Sequence, residues 1–217
     1  MMLLVMIRFS TQKQFYSQNS LSKSLIFILV SISALITVLA SCGLQDSEPL
    51  PVITTLTVPY TFTDQAGSQV NQSLFSDKIY VADFFFTSCP TICPIMKSQM
   101  LRVYEAFEDN DNVILLSHTI DPEHDTVEVL KDYAEKLGIL SHRWHMVTGP
   151  KDHIYDTAKR YMLAAMEDKQ APGGFIHSGS FSLVDRRGQI RGYYKGTEKE
   201  DVSKLIKDIR RLLDEKQ

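Results

Sequence analysis

The sequence predicts an α/β domain with a central mixed sheet flanked by helices. Three features carry this expectation. KIYVADFFF (78–86) and NVILLSHTI (112–120) are continuous runs of β-branched, aliphatic and aromatic residues, the pattern of strands buried on both faces. Segments with apolar residues three and four apart follow each run, as crossover helices between parallel strands require. Near the end, HSGSFSLVD (177–185) and IRGYYKG (190–196) flank the turn RRGQ, which describes a hairpin.

Taken in chain order, VPYTFTDQAGSQVNQSLF (58–75) alternates around a DQAG turn and predicts a short hairpin. The first buried strand follows, then a helix from Pro94, a favourable first position, with Ile95, Met96, Met100, Val103, Tyr104 and Phe107 at helical period. After the second strand, a helix runs from a capping Asp125 or Thr126 to a terminating Gly138. WHMVTG (144–149) predicts a third strand and KDHIYDTAKRYMLAA (151–165) a third helix. EDKQAPGG (167–174) reads as a loop before the hairpin, and an amphipathic helix closes the chain from about Glu200 to Asp214. A thioredoxin-like fold has this order.

Residues 1–41 stand apart. They hold Arg8, Lys13 and Lys23 and no acidic residue, then the apolar run LIFILVSISALITVLA (25–40), the layout of a secretory signal. LASC (39–42) has the form of a bacterial lipobox, which makes Cys42 a candidate lipidation site. The other reading is an uncleaved membrane anchor, although the run falls short of the roughly 20 residues a spanning helix needs. On either reading the domain is exported, outside the cytoplasm and membrane-tethered. Met6 is an alternative start. GLQDSEPLP (43–51) is polar and proline-bearing, so 42–57 is expected to be a tether and 58–217 the domain. At 217 residues and 44% hydrophobic, the chain suffices for one well-buried domain. Without residues 1–41 its net charge moves from −3 to about −6, and no Lys/Arg stripe interleaves with aromatics, so nucleic acid is not an expected partner.

The chemistry concentrates in FFFTSCPTICPIMK (84–97). Cys89 and Cys93 lie between a buried strand and a helix N-terminus, where backbone N–H groups stabilise thiolates. Three readings follow. A structural disulfide closing so short a loop adds little stability. A thiol–disulfide pair ordinarily has the C-x-x-C spacing, not the C-x-x-x-C found here. As a metal site, two thiolates one helical turn apart suit Cu(I) or zinc; structural zinc wants four protein ligands, whereas Cu(I) is satisfied by two or three. A third ligand would be histidine. His118 is expected in the core, His124 in solvent, and His142, His145 and His153 in surface or packing roles. His177, between APGG and a strand, comes beside the cysteine loop in a thioredoxin-like sheet, where a ligand and an ordinary loop histidine are equally compatible with the spacing.

DFFFTSCPTICPIMK, IDPEHDTVEVLKDYAEKLG, WHMVTG and HSGSFSLVDRRGQIRGYYKG resemble the Sco/SenC family in order and spacing, over about residues 58–214. The resemblance implies a membrane-tethered, thioredoxin-like copper-binding protein that assists assembly of the dinuclear copper centre of cytochrome c oxidase. It implies Cys89, Cys93 and His177 as ligands for copper, Cu(I) or Cu(II), and as partner the oxidase's copper-bearing subunit or another exported cuproprotein. Family cysteines also cycle between dithiol and disulfide, so a thiol–disulfide oxidoreductase acting on the partner's cysteines, or a thiol peroxidase, is the alternative. A tethered binding module with an incidental disulfide is the bland third class. Two departures are visible: the front resembles a lipoprotein where many relatives keep a transmembrane helix, and His124 stands where many carry arginine.

Overall fold

The structure, a computed structural model, describes residues 48–215. The expected leader (1–41) and Cys42 lie outside the described residues. Among those described, no helix is long and apolar enough to cross a membrane.

The chain order is β1 (Thr54–Thr55), β2 (Phe62–Asp64), β3 (Gln69–Val70), β4 (Ile79–Phe85), α1 (Ile92–Ala106), β5 (Val113–Thr119), α2 (Val127–Leu137), β6 (Trp144–Thr148), α3 (Lys151–Arg160), β7 (Ala165–Glu167), β8 (Phe175–His177), β9 (Ser180–Val184), β10 (Gln189–Lys195) and α4 (Lys199–Asp214). The main sheet runs β1-β10-β9-β4-β5-β6-β2-β3. Strands β4, β5 and β6 are parallel, and β9 joins β4 antiparallel. The sheet is therefore mixed, as the sequence predicts. Every residue of β4, β5 and β6 is buried, which is why their sequences are largely apolar on both faces instead of alternating.

Local chemistry sets most boundaries. Thr126 caps α2 by accepting from Val129 N–H at 3.4 Å, and Gly138 ends it at φ +68°. Helix α4 buries Val202, Leu205, Ile206, Ile209 and Leu212, one face at helical spacing. The DQAG turn is held by Asp64, whose Oδ1 accepts from Ala66 and Ser68 N–H while Oδ2 pairs with His145 Nδ1 at 2.9 Å.

Several boundaries differ from expectation. Helix α1 starts at Ile92, not Pro94; Pro94 occupies its first turn, where an N–H has no intrahelical acceptor in any case. The third helix stops at Arg160, not Ala165. Tyr161 turns its hydroxyl inward to Tyr80 at 3.2 Å, and Met162 adopts φ +56°, a left-handed position for which methionine carries no sequence signal. The expected loop 167–174 joins the two strands of a separate sheet, β7, which takes up the end of the expected third helix, and β8. Three-residue strands are too short for alternation to reveal. The chain is also packed ahead of the expected tether boundary at residue 57. Leu50 and Leu56 are buried, β1 pairs with β10, and buried Arg191 binds the Leu50 carbonyl together with Asp185 and Glu215.

His118 is in the core, stacked on Phe84 at 4.9 Å and edge-on to Phe62 at 5.3 Å. Its Nδ1 is buried without a hydrogen-bond partner. Burial pushes its pKa down to about 4, against a smaller opposing pull from Asp83. The unfolded chain binds this proton more readily, so the associated stability is complete above pH 6.5 and is lost as pH falls toward 4. Urea unfolding should show roughly 1 kcal/mol of loss between pH 7 and 5.5 from this group. His118→Phe, which keeps the ring stack, should remove that part of the slope.

Candidate metal centre

Strand β4 delivers Phe86 and the cysteine loop to the carboxyl edge of the sheet, where open α/β sheets place their ligands. Cys89 N–H donates to the Phe86 carbonyl at 3.3 Å, which turns the chain toward α1. Thr91, the residue before α1, makes no side-chain cap. The Thr91 hydroxyl instead lies 3.7 Å from Cys89 Sγ. Cys93 is not in the loop, as expected from a helix starting at Pro94, but inside the first turn of α1.

His177 ends β8, with Ala165 of β7 opposite. The Sγ atoms of Cys89 and Cys93 and one ring nitrogen of His177 all lie within 4.8 Å of one another. Cys93 Sγ is 3.1 Å from His177 Nε2, a contact across 84 residues of sequence. His177 Nδ1 lies 3.1 Å from the Ser178 carbonyl. With Nδ1–H donating there, Nε2 turns its lone pair toward the sulfurs, the tautomer a metal ligand needs. All three residues are buried.

Two supports hold the arrangement. Asp125, fully buried, accepts from Thr87 N–H at 3.0 Å, from the Thr87 hydroxyl, from Thr119 Oγ1 at 2.5 Å, and faces His124 Nδ1 at 3.0 Å. It thereby ties the segment ahead of Cys89 to the loop after β5. On the other side Gly173, at φ +80°, lies against Phe86 and Pro90; a Cβ there would sit 2.8 Å from the Phe86 ring. That close approach, with Phe175 packed on Phe86 at 5.1 Å, seats the β7–β8 hairpin and with it His177.

The two thiols are unequal. Burial pushes Cys89 up, but hydrogen bonds from the Cys93 thiol, from the Thr91 and Cys93 amides and from the Thr91 hydroxyl outweigh it, and the net direction is down. Burial first, then the neighbouring Cys89 sulfur, pushes Cys93 well above the ordinary thiol range. Burial lowers His177, partly offset by the Ser178 carbonyl, so its imidazole is neutral near pH 7. The remaining described histidines do not join the cluster. His124 stays exposed against Asp125, which raises its pKa, His142 is exposed, His145 binds Asp64, and His153 stacks on Tyr60 at 4.1 Å. Among the described residues no other set of three such side chains converges.

A family model, SCO1/SenC, matches residues 52–214. The chain belongs to the SCO1/SenC family. It is 30% identical over 154 residues to the SCO1 protein homolog of Bacillus subtilis, covering 70% of this chain and 80% of that one. A solved SCO1/SenC family lipoprotein from Bacillus anthracis is similar at TM-score 0.69 and 29% identity, over 77% of this chain and 100% of the other. A second solved family member, BsSco, is known for a disulfide switch and belongs to the cytochrome c oxidase assembly proteins. It is similar at TM-score 0.64 and 27% identity, over 76% and 99% of the two chains. The thioredoxin-like architecture is shared with these SCO1/SenC structures.

Sequence reasoning missed Asp125 as a support, treating it only as a candidate helix cap; its reach to Thr87 across 38 residues has no local signal. Asp125→Ala should lower stability by about 3 kcal/mol in urea unfolding, because it strands several buried donors. In the reduced protein, iodoacetamide should modify Cys89 at least about tenfold faster than Cys93, read by peptide mass spectrometry.

Proposed function

We propose that this protein is a copper carrier that holds Cu(I) between Cys89, Cys93 and His177 and passes it to a partner during assembly of a copper centre. The observation that carries this reading is the convergence of two sulfurs and one imidazole nitrogen in a buried pocket. Two soft thiolates with one nitrogen match Cu(I), and among the described residues no fourth side chain completes a structural zinc site. Copper here is cargo. A three-coordinate site leaves room for an incoming thiolate, so release proceeds by ligand exchange to the partner's sulfurs.

The partner class is the copper-bearing subunit of cytochrome c oxidase or another exported cuproprotein. This follows from the family resemblance and from BsSco, an oxidase assembly protein. Export and a membrane tether through a lipid on Cys42 fit the lipobox pattern and the lipoprotein from Bacillus anthracis. The domain then works outside the cytoplasm, on the periplasmic or extracellular face.

A second reading is supported by the opposed thiol pKa directions. Cys89 as thiolate would attack a substrate disulfide, releasing one substrate thiol and forming a mixed disulfide. Cys93, once deprotonated, would then attack Cys89 Sγ, releasing the second thiol and leaving a Cys89–Cys93 disulfide. Oxidation removes both strong copper ligands together, so the two activities exclude each other at any moment.

Titrating the reduced full-length protein with Cu(I) against a competing chelator separates them. Cys89→Ala and Cys93→Ala should each abolish tight binding, and His177→Ala should weaken it about 10- to 100-fold. Unchanged copper affinity in His177→Ala together with high disulfide-reductase activity would favour the oxidoreductase.

A further inference from the structure

Beneath the cysteines lies an ion pair that the carrier reading does not use. Lys97 Nζ and Asp83 Oδ2 are 2.9 Å apart, with side chains 3% and 0% exposed. Lysine is almost never fully buried without a partner, and a hydrophobic pair of similar volume would serve a core as well or better. The fold alone gives no reason for it.

Its position does. Lys97 follows Cys93 by four residues on α1, so the two share a helix face with Lys97 one turn, about 5.4 Å, further along. Asp83 is on β4, the strand that delivers the Cys89 loop. The ammonium is fixed by its surroundings: it donates to Asp83 and to Ser117 Oγ at 2.9 Å and sits 3.9 Å from the Phe85 ring and 5.3 Å from that of Trp144. Ser117 in turn donates to Asp83 and accepts from Trp144 Nε1 at 2.9 Å. A charge so held cannot swing away when the charge of the neighbouring site changes.

That site's charge does change. One Cu(I), two thiolates and a neutral imidazole sum to a net charge of about −1 in a buried pocket, where an uncompensated charge is expensive. Resting on the copper reading above, we infer that Lys97 is a positioning residue for the copper site. It supplies a fixed counter-charge to the Cu(I)–dithiolate, and Asp83 limits its strength.

The two partners therefore have opposite effects on copper, which a merely structural ion pair would not. Cu(I) affinity of the reduced full-length protein, measured against a chelator, should fall on the order of tenfold in Lys97→Met and rise by a similar factor in Asp83→Asn. Lys97→Arg should stay close to wild type. The double variant Asp83→Asn/Lys97→Met, which strands no charge in the core, should bind more tightly than Lys97→Met alone. That comparison holds even if Asp83→Asn folds poorly. Affinities that fall in both single variants, in step with their urea midpoints, and a double variant no tighter than Lys97→Met would overturn the inference. So would affinities unchanged throughout. A wild type that binds no Cu(I), or binds equally without Cys89, would instead overturn the carrier reading and this inference with it.

Discussion

Strands β4 and β5 run parallel with every side chain buried, so neither face of the sheet can be left to water. Parallel pairing forces a crossover between them, and that crossover is α1. The strand-to-helix junction then falls at the carboxyl edge of the sheet, with the helix N-terminus pointing its free N–H groups outward. Cys89 occupies that spot and Cys93 the first turn beyond it. Reactive sulfur sits here because the backbone geometry of a buried parallel pair supplies donors at this point.

The third group comes from the far end of the chain. Strand β9 packs antiparallel against β4, which brings the segment before it back over the cysteine loop. The β7–β8 hairpin is seated by Gly173 and Phe175 on Phe86, and His177 meets Cys93 at its base. Cys89 and His177 are thus held by different supports: Asp125 through Thr87 on one side, the aromatic contact on the other.

The site is also electrically layered. Backbone donors favour a thiolate at Cys89, burial keeps Cys93 protonated in the metal-free protein, and a neutral imidazole turns its lone pair inward. Below them lies the paired charge of Lys97 and Asp83. None of these effects belongs to one residue; each depends on what the fold packs against it.

The sequence by itself determined the buried strands, the α2 helix from a cap at Asp125 or Thr126 to Gly138, the hairpins and the amphipathic final helix. Those depend on local periodicity and on turn chemistry that each residue carries with it. The family resemblance also pointed to His177. Spacing alone left a loop histidine equally compatible, because nothing local tells a residue what lies 84 positions away. Only the tertiary structure decided that Cys93 lies inside the helix, that β7 and β8 pair, that the chain is packed from Leu50, that Asp125 ties Thr87 to the loop after β5, and that Lys97 is buried against Asp83. Each of those follows from a contact between distant segments, and burial of a lysine or an aspartate becomes visible only once its partner is in place.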